Sequence, residues 1–226
     1  MQRYAVYYAP RPGSFAQLAA AWLGRDAETG ADCVQPAFDG MPGPDAALTA
    51  EAARYGFHGT LRPPFRATDG LGQAQIAERI AALAARLAPV WCEGLQVANL
   101  SGFLALVPTG DLTALQALAA AVIEGTDDLR VSLSEAEIAR RKPARLTARQ
   151  GALLRRWGYP WVMEEFRFHL TLTGQLAHAD AAALAPRLQA LFAPVLPRPF
   201  VVEDLCLFGE DASGRFTLLR RYALGG

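Results

Sequence analysis

The spacing of apolar and polar residues changes period repeatedly along this chain and outlines alternating strands and helices. Arg3 to Ala9 is rich in Tyr and Val, as a strand is, and Pro10, Pro12 and Gly13 stop it. Ser14 can cap an amphipathic helix from Phe15 to about Leu23, which Gly24 ends. Residues 25–49 have no clear period and read mostly as loop, with a short helix near Ala46 to Ala53. A loop of this length suits a lid, a substrate-binding segment or a variable insertion. Tyr55 to Ala67 contains a strand that Pro63 and Pro64 either close or place at a sheet edge. Leu71 to Ala88 has helical spacing at Ile76, Ile80, Leu83 and Leu87. Leu95 to Leu100 and Phe103 to Val107 read as strands joined at Ser101-Gly102, and Asp111 is read as the cap of a helix from about Leu112 to Ile123.

Residues 125–160 are a second irregular region, containing Ser134 and Glu137 at capping-box spacing and a helix from Ala148 to Trp157 that Gly158 terminates. A strand is expected from Phe166 to Leu176, a helix from about Ala179 to Phe192, and strands at Phe200 to Phe208 and Arg215 to Tyr222. These elements repeat. Each half reads strand, helix, irregular insert, strand, helix, strand, and the second half adds one closing strand. The expected fold is α+β, a single domain of two lobes related by a pseudo-twofold, with approximate halves 1–100 and 101–226. Antiparallel sheets would face a central cleft with helices outside.

The third ordered element of each half carries the same short pattern. His58-Gly59-Thr60-Leu61 and His169-Leu170-Thr171-Leu172 both read His-x-Thr-Leu, each after an aromatic residue. Side chains alternate faces along a strand, so each histidine shares a face with the threonine two places on. Two such strands lining one cleft would supply a general acid, a general base and hydroxyl anchors between them. A single strand histidine is usually a core residue bonded to backbone. Here the chain has three histidines, and two carry the pattern. The third, His178, falls at a helix start and reads as a surface or capping residue.

Other candidates follow from parity and charge. Arg62 and Arg167 share the parity of the histidines and could neutralise phosphate charge, or could be solvated strand-end arginines. Arg140, Arg141, Lys142 and Arg145 form the strongest charge concentration, either a solvated face or a segment bringing cations to a substrate's second anionic group, with Arg141 and Lys142 foremost. Tyr4 and Tyr8 share a strand face and could stack on a sugar or base, or pack in the core. Thr173 continues the motif face at the expected strand end.

Composition narrows the partners. Twenty-two basic and 22 acidic residues leave a formal net charge of zero, which supplies no global field for long nucleic acid. Cys33, Cys92 and Cys206 are scattered without a Cys-x-x-Cys, so a disulfide framework is not expected and a reducing compartment is. Three histidines and dispersed cysteines make a zinc site an unpromising reading. Glycine-rich phosphate loops, His-Glu-x-x-His and Gly-x-Ser-x-Gly are missing from the sequence. Neither a signal peptide nor a membrane span is expected, which makes a cytoplasmic protein without membrane partners the default.

The paired His-x-Thr strands in a duplicated α+β chain resemble the two-histidine (2H) phosphoesterase superfamily over nearly the whole sequence. Arg3 to Pro10, Phe57 to Leu61, Arg156 to Pro160 and Met163 to His169 look like a bacterial branch of uncharacterised proteins often encoded with phosphonate-metabolism genes. The resemblance implies metal-independent, cofactor-free hydrolysis of a cyclic or linear phosphodiester, with His58 and His169 exchanging protons and Thr60 and Thr171 bonding phosphate oxygens. It suggests a small phosphorylated metabolite, such as a ribose cyclic phosphate from phosphonate breakdown. Two alternatives stand beside it, an enzyme of 2′,3′-cyclic or 2′,5′-linked RNA ends and a non-catalytic binder of a phosphate- or phosphonate-bearing metabolite.

Overall fold

A computed structural model describes residues 1–37, 46–141 and 145–226. Its first half runs β1 (Tyr4–Tyr8), α1 (Ser14–Leu23), α2 (Ala46–Tyr55), β2 (Gly59–Phe65), α3 (Gln73–Ala84), β3 (Val90–Cys92) and β4 (Gly94–Leu100). The second half repeats that order as β5 (Phe103–Thr109), α4 (Thr113–Gly125), α5 (Glu135–Arg140), α6 (Ala148–Trp157), β6 (Leu170–Thr171), α7 (His178–Phe192), β7 (Phe200–Val202) and β8 (Asp204–Glu210). Only α5 is extra, and β9 (Phe216–Ala223) closes the chain. The α+β architecture and the element-level repeat agree with the sequence reading.

Seven strands form one sheet in the order β4-β5-β6-β2-β1-β8-β9, while β3 and β7 pair separately. Every named pairing is antiparallel. The order is symmetric about the β6–β2 junction, which maps β6 onto β2, β5 onto β1 and β4 onto β8. One point differs from the expected pair of sheets facing across a cleft. The motif strands lie edge to edge, pairing at Gly59↔Leu170, and the halves also exchange strands, with β4 pairing β5 and β8 pairing β1. The motif strands are therefore neighbours at the middle of one sheet.

One face of that sheet carries the main core. Tyr4, Val6 and Tyr8 of β1, Leu104 and Leu106 of β5, and Leu205 and Leu207 of β8 pack there against apolar residues of α1, α3, α4 and α7. The alternate residues Ala5, Tyr7, Cys206, Phe208 and Phe216 form a smaller cluster on the other face. This two-faced alternation is what period-2 patterning produces when both faces are covered.

Local chemistry fixes the helix ends near the site. Ser134 and Glu137 form the expected capping box of α5, and Thr147 with Gln150 forms one on α6. Gly24 and Gly158, both left-handed, end α1 and α6. The Trp22 indole N–H donates to the Leu172 carbonyl at 2.8 Å and ties α1 to the end of the second motif.

Candidate active site

The first motif is held from behind by its glycines and aromatics. Gly56 has φ 72, and a Cβ there would lie 2.4 Å from Ala27 Cβ. Gly59 has no room for a side chain, since a Cβ would meet the Phe168 ring at 2.3 Å. The aromatic residue before the second histidine thus packs on the glycine after the first. Phe57 and Phe168 are both buried in the main core, so alternation turns His58 and His169 to the opposite face.

Gly59 pairs with Leu170 across the β2–β6 seam. Extending that register sets His58 opposite Thr171 and Thr60 opposite His169, all four on the face away from the core. His58, Thr60, His169 and Thr171 line one cleft of about 400 Å³. The two histidines and two threonines are brought together across a strand pair rather than across two facing sheets.

Backbone carbonyls orient both imidazoles. His58 Nδ1 lies 2.9 Å from the Gly56 oxygen, and His169 Nδ1 lies 2.8 Å from the Arg167 oxygen. A carbonyl can only accept, so each Nδ1 carries a proton and each Nε2 is left for chemistry. His58 Nε2 is 3.2 Å from Thr60 Oγ1, which donates to it in the neutral state. The Tyr7 ring stacks on His58 at 3.9 Å between centroids, and Tyr55 lies 5.9 Å away. Although His58 as a residue is only half-buried, this enclosure pushes its pKa down to about 4, with the charge of His169 adding to the fall and the Gly56 carbonyl opposing it. Burial also lowers the pKa of His169, against the bond to Arg167.

Cations and aromatic rings rim the cleft. Arg3 lines it and is held by Glu210 through bonds of 2.6 and 2.5 Å. Arg141, Glu51, Gln175, Tyr55, Tyr159 and Phe103 complete much of the wall. Sequence reasoning singled out Arg141 alone among these. Tyr7 was detectable only by choosing the other parity on β1, and Arg3 only by knowing that this face is the cleft.

Several proposed contacts lie elsewhere. Tyr4 and Tyr8 are buried on the core face, where Tyr8 meets Phe200 edge-on at 5.1 Å, so neither reaches the cleft. Their parity placed them with Val6, opposite Tyr7. Arg62 also leaves the motif face. Two register irregularities separate Thr60↔Tyr7 from Arg62↔Val6 and from Phe65↔Tyr4, so the period-2 rule fails after Thr60. Arg62 is 1 % exposed and bonds the Ile123 carbonyl at 3.2 Å, while Pro63 and Pro64 line the cleft instead. Arg167 is exposed and does not line the cleft; its carbonyl serves His169. The second motif strand is confined to Leu170–Thr171. Thr173 bridges the Leu104 amide and the Gly174 carbonyl, both at 2.9 Å, and lines the cleft. His178 is exposed at the start of α7. Lys142 lies outside the described residues.

Residues 60–217 match the model of a family described as a protein of unknown function, DUF1045. The chain belongs to the DUF1045 family. Its relatives include proteins named ribose 1,5-bisphosphate phosphokinase PhnN. The one from Janthinobacterium sp. (strain Marseille) is 38% identical over 220 residues, 95% of this chain and 49% of that protein. The one from Laribacter hongkongensis (strain HLHK9) is 41% identical over 222 residues, 96% of this chain and 51% of that protein. This DUF1045 chain spans about half the length of the curated relatives it matches.

Among solved structures, TT0787 of Thermus thermophilus is similar at a TM-score of 0.47 and 18% identity, over 99% of this chain and 98% of that one. Escherichia coli LigT complexed with NADP+ is similar at 0.43 and 16%, over 100% and 98%. Among the described residues of this DUF1045 chain, no helix is long and apolar enough to cross a membrane.

Proposed function

We propose that this DUF1045 chain is a 2H-type phosphodiesterase that opens a small cyclic phosphodiester with its two imidazoles. The observation that carries the reading is the register of the β2–β6 seam, which sets two carbonyl-oriented histidines and two threonines on one face of one cleft. His58, kept neutral by burial, is the base, and its Nε2 takes a proton from the attacking water. His169, protonated on Nε2, is the acid and gives that proton to the leaving ring oxygen. The water oxygen bonds to phosphorus, the ring P–O bond breaks, and solvent exchange restores the two protonation states.

Thr60 has a double task. Its hydroxyl donates to His58 Nε2 in the resting site, and turning it to a non-bridging phosphate oxygen frees that nitrogen for the water. Thr171 bonds the other non-bridging oxygen, and Arg3 opposes the charge that grows on the phosphoryl group. The name of the curated relatives concerns a phosphorylated ribose, which favours a ribose cyclic phosphate as substrate. Their kinase activity is not proposed for this chain, whose sequence carries no Gly-x-x-x-x-Gly-Lys phosphate loop. Tyr55, Tyr159 and Phe103 in the cleft wall support a second reading, in which the substrate is a 2′,3′-cyclic nucleotide or RNA end whose base stacks on them.

The test is turnover under chelator of ribose 1,2-cyclic phosphate 5-phosphate, nucleoside 2′,3′-cyclic phosphates and a chromogenic linear diester. Hydrolysis of one member, lost in both His58→Ala and His169→Ala, is expected. No turnover, or activity indifferent to both changes, would replace the catalytic reading by a binding one.

A further inference from the structure

Beyond Pro63 and Pro64 the cleft adjoins a second cavity of about 120 Å³, whose wall shares Arg3, Pro63, Pro64 and Arg141 with it. The charged residues of this wall are Arg3, Arg62, Arg66, Arg130, Arg141 and Glu137. Five guanidiniums therefore face one carboxylate. Asp127 and Glu210 contact the set from outside, which brings the carboxylates to three, yet they also serve Arg156 and Arg54. A surplus of at least two positive charges, five minus three, remains at the cavity.

Two of these arginines are buried with unused donors. Arg62 is 1 % exposed, and its Nε and Nη2 have no hydrogen-bond partner; the Asp127 oxygen stands 3.8 Å from Nη2. The Arg130 side chain is 7 % exposed; Nε bonds Asp127 and Nη2 bonds the Arg156 carbonyl, which leaves Nη1 unpartnered. Buried cationic donors without acceptors are costly and uncommon, and they call for an anion. Arg141 is exposed across the cavity and has no carboxylate partner among the described residues.

We infer that this cavity seats a second phosphoryl group, so that the substrate class is a small metabolite carrying a phosphomonoester besides the scissile diester. The inference rests on the catalytic reading for the diester end, and on the cavity alone for the monoester end. The dianion of a monoester matches the charge surplus: the exposed Arg141 can donate to it directly, and the buried guanidiniums of Arg62 and Arg130 add positive charge from the cavity wall. The bulge that takes Arg62 off the motif face is then what builds the second end of the site.

Two measurements separate the claims. Inorganic phosphate would be titrated calorimetrically into the His58→Ala/His169→Ala protein, and into that protein carrying Arg130→Gln or, separately, Arg141→Ala. Arg141 is exposed, so its change leaves the fold intact even if Arg130→Gln does not. Phosphate binding that survives the histidine changes and weakens at least tenfold with either arginine change is expected. No binding, or binding indifferent to both arginines, overturns the pocket. The second measurement compares kcat/KM of the parent protein for ribose 1,2-cyclic phosphate and adenosine 2′,3′-cyclic phosphate, each with and without a terminal 5-phosphate or 5′-phosphate. A preference of at least tenfold for the phosphorylated member, shrinking toward unity in both arginine variants, is expected, and equal rates overturn the substrate class. Turnover of none of them, with phosphate binding intact, would remove the catalytic reading and leave the anion pocket standing.

Discussion

The two His-x-Thr motifs occupy equivalent places in a repeated fold, yet their histidines sit in different surroundings. His58 is stacked on Tyr7, bonded to its own Thr60 and depressed to a pKa of about 4. His169 has Phe103 tilted against it at 5.6 Å, and its pKa falls through burial without a further charge contribution. The repeat supplies two copies of one His-x-Thr unit. The neighbours Tyr7 on β1 and Tyr55 on α2 make the copies unequal, as the proposed pairing of a base with an acid requires. Symmetry sets where the groups are, and packing sets what each one does.

The widest break in this comparison comes from removing each imidazole. His58→Ala and His169→Ala should each lower kcat by on the order of 10²–10⁴-fold. The parent kcat/KM should trace a bell with its maximum on the acidic side of neutrality, since the base is depressed to about 4 and the acid lies below its ordinary 6.5. A rate profile in which one variant keeps parental activity would mean that the two motifs do not act as a pair.

Gly59 tests the seam that joins them. Gly59→Ala drives a Cβ into the Phe168 ring, and such overpacking typically costs about 1–3 kcal/mol. The expected outcome is a lower urea midpoint together with lost activity, because the register that pairs the motifs is disturbed. Unchanged stability would show that the ring does not lie on this glycine.

The inequality should also be visible in stability against pH. The folded state keeps His58 near 4 while the unfolded chain titrates at the ordinary 6.5. Between those values the unfolded state binds a proton that the folded state excludes, so stability is full above about 6.5 and falls as pH drops toward 4. After discounting for water in the open cleft, the loss is about 2 kcal/mol. Denaturant titrations of the parent should show this slope, and His58→Ala should flatten it; an equal slope in both proteins would assign it to other groups.

How much of this was readable in the chain depended on whether local rules held. The order of elements, the capping box at Ser134 and the shared face of histidine and threonine follow from periods and spacings that the folded chain obeys. The position of Arg62 does not, because the irregularities after Thr60 cancel its parity, and a bulge is decided by pairing with β1 rather than by β2 alone. Tyr7 and Tyr8 are adjacent aromatic residues, so nothing local says which faces the cleft; the pairing of β1 between β2 and β8 decides it. The brevity of β6 is likewise set by its neighbours, since Leu170 pairs with both β2 and β5 while Thr171 pairs with β5.

The smallest expected effect concerns that same arginine. Arg62→Met removes a buried, incompletely paired charge and leaves Asp127 with Arg130 and Arg156. Replacement of such groups by apolar ones of similar volume is often neutral or stabilising. Thermal unfolding should show a transition unchanged or raised, while preference for a phosphomonoester-bearing substrate declines. A marked fall in stability would mean that Arg62 serves the fold rather than a ligand.

The most direct measurement of the unequal pair needs no substrate. Histidine side-chain resonances of the parent and of His169→Ala would be followed by nuclear magnetic resonance from pH 8 to pH 3.5. His58 is expected to titrate near 4, below His169, and its pKa to move upward when His169 is removed. His58 titrating at or above His169, or standing still in the variant, would contradict the claim that the two motifs form one coupled base and acid.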